Sequence, residues 1–290
     1  MSLRRAFLTL FPALALILAI AACGSEDSSS DAGSQGDTAS LEDCTPDALD
    51  TREAGTLTIA TDDPAFPPYF EDDDPTNGKG FESAVAYAIA EQLGFSEGDV
   101  EWVVEPFNSS YAPGPKDFDF DVNQISITDK RAEQVDFSAP YYTANQAVVA
   151  LKDSPVAGAT SLSEVADAQI GVQIGTTSLE AVESEIQPSE DPQIFDTSND
   201  VVSALKNGQV EAVVVDVPTA FFLTAVQVTD ASVVGQFEAA GGDEFGALLA
   251  KDSALTPCVA AAVEELEDSG ELGEIENKWL SEATDAPVLD

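Results

Sequence analysis

A near-continuous apolar run, VEAVVVD at residues 210–216, constrains the fold of this chain more than any other stretch. A strand this apolar is typical of a parallel sheet whose two faces are both covered. The run is preceded, after one intervening residue, by DVVSALKNG at residues 200–208, where apolar residues recur at helical spacing. A helix that leads into a buried strand is part of a β-α-β unit. This stretch therefore predicts an α/β fold.

The same alternation of strand and helix occurs in both halves of the chain. In the first half, TLTIAT (56–61) and VEWVVEP (100–106) predict strands, and the helix between them ends at Gly94. In the second half, QIGVQIG (169–175) predicts a strand that leads into a helix beginning at TTSLEAVE. The pattern indicates two α/β modules in tandem. Ligands of such sheets bind at the carboxyl ends of the strands.

Charge and residue types exclude several classes of function. The chain has 11 Lys+Arg against 54 Asp+Glu, a formal net charge of -43, so we exclude nucleic acid as a partner. It has no histidine and three cysteines, which removes Ser-His and Cys-His nucleophile pairs and zinc clusters. We expect no catalytic residue, no metal and no cofactor. The acidity itself fits either general solubility or adaptation to a salty environment.

The N-terminus predicts export as a lipoprotein. Arg4 and Arg5 precede the apolar run AFLTLFPALALILAIAA, and IAAC at residues 20–23 resembles the bacterial lipobox, whose cysteine is lipidated. We expect residues 1–22 to be the signal peptide and Cys23 to carry the lipid. The run is short for a transmembrane anchor and is followed at once by polar residues. RRAFL leaves the twin-arginine export route open beside the general one.

A flexible tether is expected to follow the lipidated cysteine. GSEDSSSDAGSQGDTASLED at residues 24–43 has no apolar periodicity, and we assign residues 23–52 to Cys23 and its tether. A tethered body outside the cytoplasm lies where disulfides persist. Because Cys44 and Cys258 are the two cysteines that remain, we expect them to form a bridge. Two unrelated buried thiols are the alternative.

The stretch QISITDKRAEQVDFSAPYY at residues 124–142 contains an arginine in a chain that has few bases. Thr128 is expected to cap a short helical turn, so that Arg131 projects near the end of the preceding strand. A guanidinium binds a carboxylate with two parallel hydrogen bonds, and Ser126 adds a hydroxyl. The alternative is a surface arginine paired with one of the many acids.

Two further features complement Arg131. GTTSLE follows a strand, and Thr177 with Glu180 predicts a capping box at a helix N-terminus, where free N–H groups favour anions. Asp216 ends the buried strand, either as a helix cap or as the counter-ion of a ligand cation. An arginine and an aspartate across a cleft fit the two charges of a zwitterion, which describes an amino acid.

Five motifs together resemble the amino-acid-binding proteins of ABC transporters, periplasmic solute-binding protein family 3, which includes glutamine- and lysine/arginine/ornithine-binding proteins. They occur in family order over residues 55–282 and read LTIATDDPAFPPYF, GKGFESAVAYAIAEQLGF, ISITDKRAEQVDFSAPYY, VQIGTTSLEAV and VEAVVVDVPTAF. The resemblance implies the type II periplasmic-binding fold, with two α/β lobes joined by a two-strand hinge. It assigns residues 53–144 plus 240–290 to the first lobe and 145–239 to the second.

The resemblance also implies roles for individual residues. Arg131 matches the carboxylate-binding arginine with Ser126 beside it, Thr177 matches the amide donor of the second lobe, and Asp216 matches the ammonium-binding aspartate. By the same resemblance, Phe66 and Phe107 match aromatics that sandwich the ligand side chain; core packing is the alternative for both.

At two positions the sequence does not determine which residue contributes to the pocket for the ligand side chain. An acidic residue of the first strand is matched by Asp62 or Asp63, because this chain has an extra residue here. Gln124 stands where the family has a small residue beside the ligand ammonium, in a segment broken by Pro113 and Pro115. Dicarboxylic ligands are disfavoured, because no second Arg or Lys maps to the pocket.

The expected function is capture of a free amino acid, polar or cationic, by hinge closure and its delivery to an ABC permease. The protein is expected to act as a monomer anchored to the cell membrane. One alternative is a tethered sensor that presents the same ligand to a receptor. The other is an enzyme on the same scaffold, which would need a carboxylate acid/base in the cleft.

Overall fold

The computed structural model describes residues 39–239, 242–281 and 286–290. Two five-stranded sheets, each covered by helices, form the protein, and the two-lobed α/β architecture predicted from the sequence is confirmed. We refer to the first sheet with its helices as the first lobe and to the second sheet with its helices as the second lobe.

The first lobe contains strands from both ends of the described chain. In spatial order these are β2 (Val100–Val104), β1 (Leu57–Thr61), β3 (Phe120–Asp121), β10 (Asp243–Ala250) and β4 (Val135–Ala144). Its helices are α1 (Phe81–Gln92), α2 (Phe107–Ser110), α3 (Asp129–Ala132), α8 (Thr256–Ser269) and α9 (Glu271–Leu280). Strands β1, β2 and β3 run parallel, and β10 is antiparallel to both of its neighbours.

The second lobe is built from the middle of the chain. In spatial order its strands are β7 (Gln193–Phe195), β6 (Ile170–Gln173), β8 (Ala212–Asp216), β5 (Gln146–Leu151) and β9 (Ala231–Phe237). Its helices are α4 (Leu162–Val165), α5 (Thr177–Ala181), α6 (Ser198–Lys206) and α7 (Val217–Phe222). Strand β8 is central, and Val213 and Val214 are fully buried in two separate core clusters, one on each face of the sheet. This is why its sequence is so apolar.

The chain passes between the two sheets at two places. Asn145 alone separates β4 of the first sheet from β5 of the second, and the chain returns between β9 and β10. Gln146 therefore pairs with Asp216 and Phe237 in the second sheet, whereas Asp243 pairs with Ala144 in the first. Both crossings lie beside the end of β8.

The assignment of residues 39–52 to the flexible tether is wrong. Leu41 and Leu49 pack against the core of the first lobe, and Cys44 is buried there. Cys44 and Cys258 form a disulfide, in which Cys258 belongs to α8. Apolar packing and this covalent link order a segment whose composition is otherwise polar.

The last five residues lie against the second sheet, not in the first lobe as residues 240–290 were assigned. Gln236 on the edge strand β9 donates its N–H to Pro287 O at 2.6 Å and accepts from Leu289 N–H at 2.8 Å. A Cβ on Gly235 would lie 2.6 Å from the Leu289 side chain. Backbone pairing at an open edge explains the placement, because an edge strand offers unpaired N–H and C=O groups.

The predicted signal peptide and Cys23 lie outside the described residues. Among the helices that the structure describes, none combines the length and the apolarity needed to cross a bilayer. In the same part of the chain, no group of three or more Cys, Asp or Glu side chains is placed to hold a metal ion.

Candidate functional site

A cavity of about 400 Å³ lies between the carboxyl ends of strands from both sheets. It opens where β1 and β3 of the first lobe end opposite the ends of β6 and β8 of the second. All eight residues named from the sequence line it: Asp62, Phe66, Phe107, Gln124, Ser126, Arg131, Thr177 and Asp216. The fold thus brings together side chains that are up to 154 positions apart in the sequence.

Arg131 is a buried cation, only 7% exposed. Thr128 caps α3 as predicted, accepting a hydrogen bond from Arg131 N–H at 3.2 Å, which places the side chain at the cavity. The guanidinium donates to Ser126 O at 2.6 Å and to Gly175 O at 3.0 Å. Burial lowers its pKa, but an arginine stays charged in proteins. The ion pairs of the described residues, Arg52–Asp117 and Lys251–Asp136, do not include it.

Two aromatic rings lie under this guanidinium. The Arg131 Cζ atom is 5.6 Å from the centroid of Phe107 and 4.7 Å from that of Tyr111, within cation–π range. Phe107 therefore lines the cavity and also supports Arg131. Phe66 lines the cavity and is half-buried.

Thr177 is the first residue of α5 and not its cap, so the predicted capping box is wrong. The adjacent Thr176 occupies the cap position, and its hydroxyl accepts from Leu179 N–H. The Thr177 hydroxyl is thereby left at the cavity, where it lies 3.2 Å from Ser126 Oγ across the two lobes. The sequence could not separate two adjacent threonines that share the same chemistry.

The two lobes also meet at Gly175. Its carbonyl accepts from both Arg131 and, at 3.3 Å, Tyr111 of the first lobe. Gly175 has a positive φ of 77°, and a Cβ at this position would collide with the Tyr111 hydroxyl and lie 2.7 Å from Asn108 Oδ1. A glycine is required here by both the backbone conformation and the approach of the opposite lobe.

Asp216 occupies the cap position of α7, but its side chain makes no capping hydrogen bond. Instead Asp216 Oδ1 accepts from Gln146 Nε2 at 2.7 Å, and the residue faces the cavity. Burial, reinforced by the Asp243 carboxylate, raises the pKa of Asp216 to about 7. The side chain therefore does not cap the helix, and it is available at the cavity wall.

Of the two candidate acids after β1, Asp62 is the more enclosed. It is half-buried and accepts from Phe107 N–H at 3.2 Å, whereas Asp63 is exposed, although both line the cavity. Burial raises the pKa of Asp62.

Gln124 lines the cavity, but its side chain is occupied. It has a positive φ of 49°, and its side-chain amide and backbone N–H both donate to the Glu82 carboxylate, the latter at 2.7 Å. Glu82, fully buried in the first turn of α1, also accepts from Tyr141, and burial raises its pKa to about 7. Sequence reasoning missed Glu82, because an acid in a first helical turn is usually exposed.

Two buried polar residues near the cavity were also not predicted, and one of them, Asn123, lines it. Asp121 on β3 is fully buried and accepts from Ser110, and burial raises its pKa to about 8. Asn123, 5% exposed, lines the cavity, and its Nδ2 has no partner among the described residues. Alternation in FDFDVNQ was the available signal, since it places Asp121 and Asn123 on one face of a strand.

Proteins with similar sequences and structures include arginine-binding proteins and a sensor domain. The arginine-binding extracellular protein ArtP of Bacillus subtilis (strain 168) is 29% identical over 281 residues, which cover 95% of this chain and 98% of ArtP. An ancestral arginine-binding protein bound to arginine has a TM-score of 0.64 at 31% identity, covering 78% of this chain and 98% of that protein. A histidine kinase sensor domain has a TM-score of 0.63 at 25% identity, covering 78% of this chain and 96% of that domain.

The family profile that matches this chain spans residues 57–282, which is most of its length and includes both lobes. The cavity between the lobes, with the side chains of Arg131 and Asp216 at its walls, lies within this match. The protein belongs to the bacterial extracellular solute-binding proteins, family 3.

Proposed function

We propose that the protein captures one free α-amino acid in the cavity between its lobes, without converting it chemically, and delivers it to an ABC permease. The observation that carries this proposal is the presence of the Arg131 cation and the Asp216 carboxylate on one buried cavity, from opposite lobes. Arg131 would bind the ligand carboxylate with Ser126 and Thr177. Asp216 would bind the ammonium. We call Arg131 and Asp216 the clamp.

The lining charges favour a cationic ligand side chain over an acidic one. Four aspartates, Asp62, Asp63, Asp196 and Asp216, line the cavity together with one base, Arg131. A zwitterion pairs with the clamp and leaves the other carboxylates for the side chain. A cationic side chain gains from them, and a second ligand carboxylate is repelled. The similarity to arginine-binding proteins supports the same class.

A thermal-shift screen of the common amino acids tests the proposal. We expect L-arginine and L-lysine to raise the melting temperature most, polar amino acids less, and aspartate and glutamate not at all. A ligand at a hundred times its Kd stabilises by about 2.7 kcal/mol. For a protein of this size that corresponds to a rise of roughly 5–10 °C. The proposal is wrong if no free amino acid shifts the transition or binds by calorimetry.

We propose that lipid on Cys23 holds the protein at the membrane, where the permease would receive the ligand. Support comes from Arg4, Arg5 and the apolar run that ends in IAAC. A lipid contributes about 0.8 kcal/mol for each buried CH₂ group, so a multiply acylated cysteine anchors stably. We propose that the anchored protein acts as a monomer.

Replacement of the lipidated cysteine should release the protein. We expect wild-type protein in the membrane fraction, with an acylated Cys23 in the mass spectrum of its N-terminal peptide. Cys23→Ser should appear unacylated, and either misprocessed or in the extracytoplasmic fraction. An unacylated wild-type protein found entirely outside the membrane fraction would refute the anchor.

A sensor is the second candidate function, favoured by the similarity to a histidine kinase sensor domain. It shares the ligand and the cavity, and differs in the partner that the closed form contacts. Crosslinking in intact cells with arginine present, followed by mass spectrometry, distinguishes a permease from a receptor kinase as the captured partner.

A further inference from the structure

Behind Asp216, a hydrogen-bond network links the cavity to both crossings between the lobes. Gln146 is fully buried at the first crossing, and its Nε2 group donates to Asp216 Oδ1 at 2.7 Å and to Asp243 Oδ2 at 2.8 Å. Its Oε1 atom accepts from Ser178 Oγ at 2.6 Å. One amide group therefore joins a carboxylate of the second lobe to a carboxylate of the first.

Two carboxylates on one NH₂ group repel each other when both are ionised, and burial strengthens the repulsion. Asp243 is 1% exposed, and Gln146 contributes hydrogen bonds but no positive charge. The other charged or titratable groups that face Asp216 are Glu82 on α1, Arg131 on α3, Tyr142 on β4 and Tyr69 before α1. Of these, only Arg131 is positive, and it favours the ionised form of Asp216.

We propose that Asp243, which Gln146 holds beside Asp216, is a positioning residue that keeps Asp216 protonated in the empty cleft, and that an entering ligand ammonium displaces this proton to solvent. This inference rests on the proposed amino-acid function. The charge balances, since one positive charge enters the site as an ammonium and one leaves as a proton. Ligand capture then depends on pH through Gln146 and Asp243 at the crossings between the lobes, in addition to the residues that contact the ligand.

The affinity should rise with pH, because the ammonium binds the ionised carboxylate. Asp216, with a pKa raised to about 7, is mostly protonated near pH 6 and mostly ionised near pH 8. Each binding event should therefore release close to one proton near pH 6, about half a proton near pH 7 and little near pH 8. Kd should fall roughly tenfold from about pH 6 to about pH 8.

The experiment is calorimetry of L-arginine binding to the full chain, in buffers of different ionisation enthalpy at each pH. The variant Asp243→Asn removes the second carboxylate and keeps an acceptor for Gln146, so it should release fewer protons near pH 7 and flatten the pH dependence of Kd. The matched control is Glu244→Gln, which removes the same charge from the next residue of β10, an exposed one, and should behave as wild type. Gln146→Leu should weaken binding roughly tenfold even near pH 8, because Asp216 loses its donor.

Proton release from other buried acids can be distinguished from proton release by Asp216. Glu82 is hydrogen-bonded to Gln124 and Tyr141, and Asp121 to Ser110, whereas the Asp243 carboxylate is hydrogen-bonded to Gln146. A proton released by either of them would persist in Asp243→Asn. That outcome would overturn the inference.

A second measurement needs no ligand. Side-chain carboxyl ¹³C NMR of the empty protein, with Asp216 identified by the signal lost in Asp216→Asn, should show Asp216 titrating near pH 7 in wild type and Glu244→Gln, and lower in Asp243→Asn. An Asp216 that titrates at the ordinary aspartate value of about 3.9 overturns the inference. Arginine binding without proton release also overturns the inference, but it leaves the proposed amino-acid-binding function intact. If no amino acid binds, it is the proposed function that fails.

Discussion

Replacement of either half of the clamp should abolish most of the affinity for a free amino acid. Arg131→Ala removes the counter-charge of the ligand carboxylate, and Asp216→Asn removes that of the ligand ammonium. In either variant one ligand charge is unpaired in a desolvated cavity. Truncating one partner of a buried charge pair costs about 2–5 kcal/mol. This corresponds to a loss of roughly 30-fold to several thousandfold in affinity. The measurement is calorimetry with the best ligand of the screen, and each variant is first checked for cooperative unfolding.

Ligand analogues assign the two ends of the clamp. Agmatine is arginine without its carboxylate, and Nα-acetylarginine lacks the free ammonium. Wild type should bind arginine much more tightly than either analogue. Arg131→Ala should lose the preference for arginine over agmatine, and Asp216→Asn the preference over Nα-acetylarginine. If both variants discriminate as wild type does, the clamp assignment is incorrect.

Matched surface substitutions control for net charge. Arg52→Ala removes a base whose side chain is 43% exposed and lies outside the cavity lining, and Asp230→Asn removes an exposed acid. Both should bind arginine as wild type does. Phe107→Ala is not a neutral control, because its ring lies under Arg131.

Loss of the Cys44–Cys258 bridge should cause the largest change in stability. The bridge spans 214 positions, and a loop of this length is assigned about 5.4 kcal/mol by chain entropy, with about 2–5 kcal/mol typical on removal. We expect Cys44→Ser/Cys258→Ser to lower the free energy of unfolding by about 4 kcal/mol and the melting temperature by on the order of 10 °C. Thermal unfolding with and without reductant measures this.

Reductant supplies the internal control. It should lower the melting temperature of wild type toward that of the double variant and leave the variant unchanged. Thiol counting under denaturing, non-reducing conditions is independent of stability. Two free thiols at Cys44 and Cys258 in protein from the oxidising compartment would contradict the bridge. Arginine affinity should change little, because neither cysteine lines the cavity.

The features that were predictable from the sequence are those produced by local interactions. The apolar run before Asp216 predicts a buried strand and places this aspartate at its carboxyl end. Thr128 three residues before Arg131 predicts the cap that directs the arginine to the cavity, and the structure contains that cap. Strand periodicity and helix capping depend on neighbours within a few positions, so they can be read along the chain.

Contacts between distant segments required the tertiary structure. Gln124 and Glu82 are 42 positions apart, and Gln146 and Asp243 are 97 apart. The attachment of residues 286–290 to β9 likewise has no local signature. The order of the strands in each sheet and the packing of the two lobes bring these groups within hydrogen-bond distance. The periodicity of the sequence does not determine strand order or lobe packing. The residue types of the clamp can therefore be predicted from the amino-acid sequence, whereas the hydrogen-bond network around Asp216 depends on the packing of the two lobes.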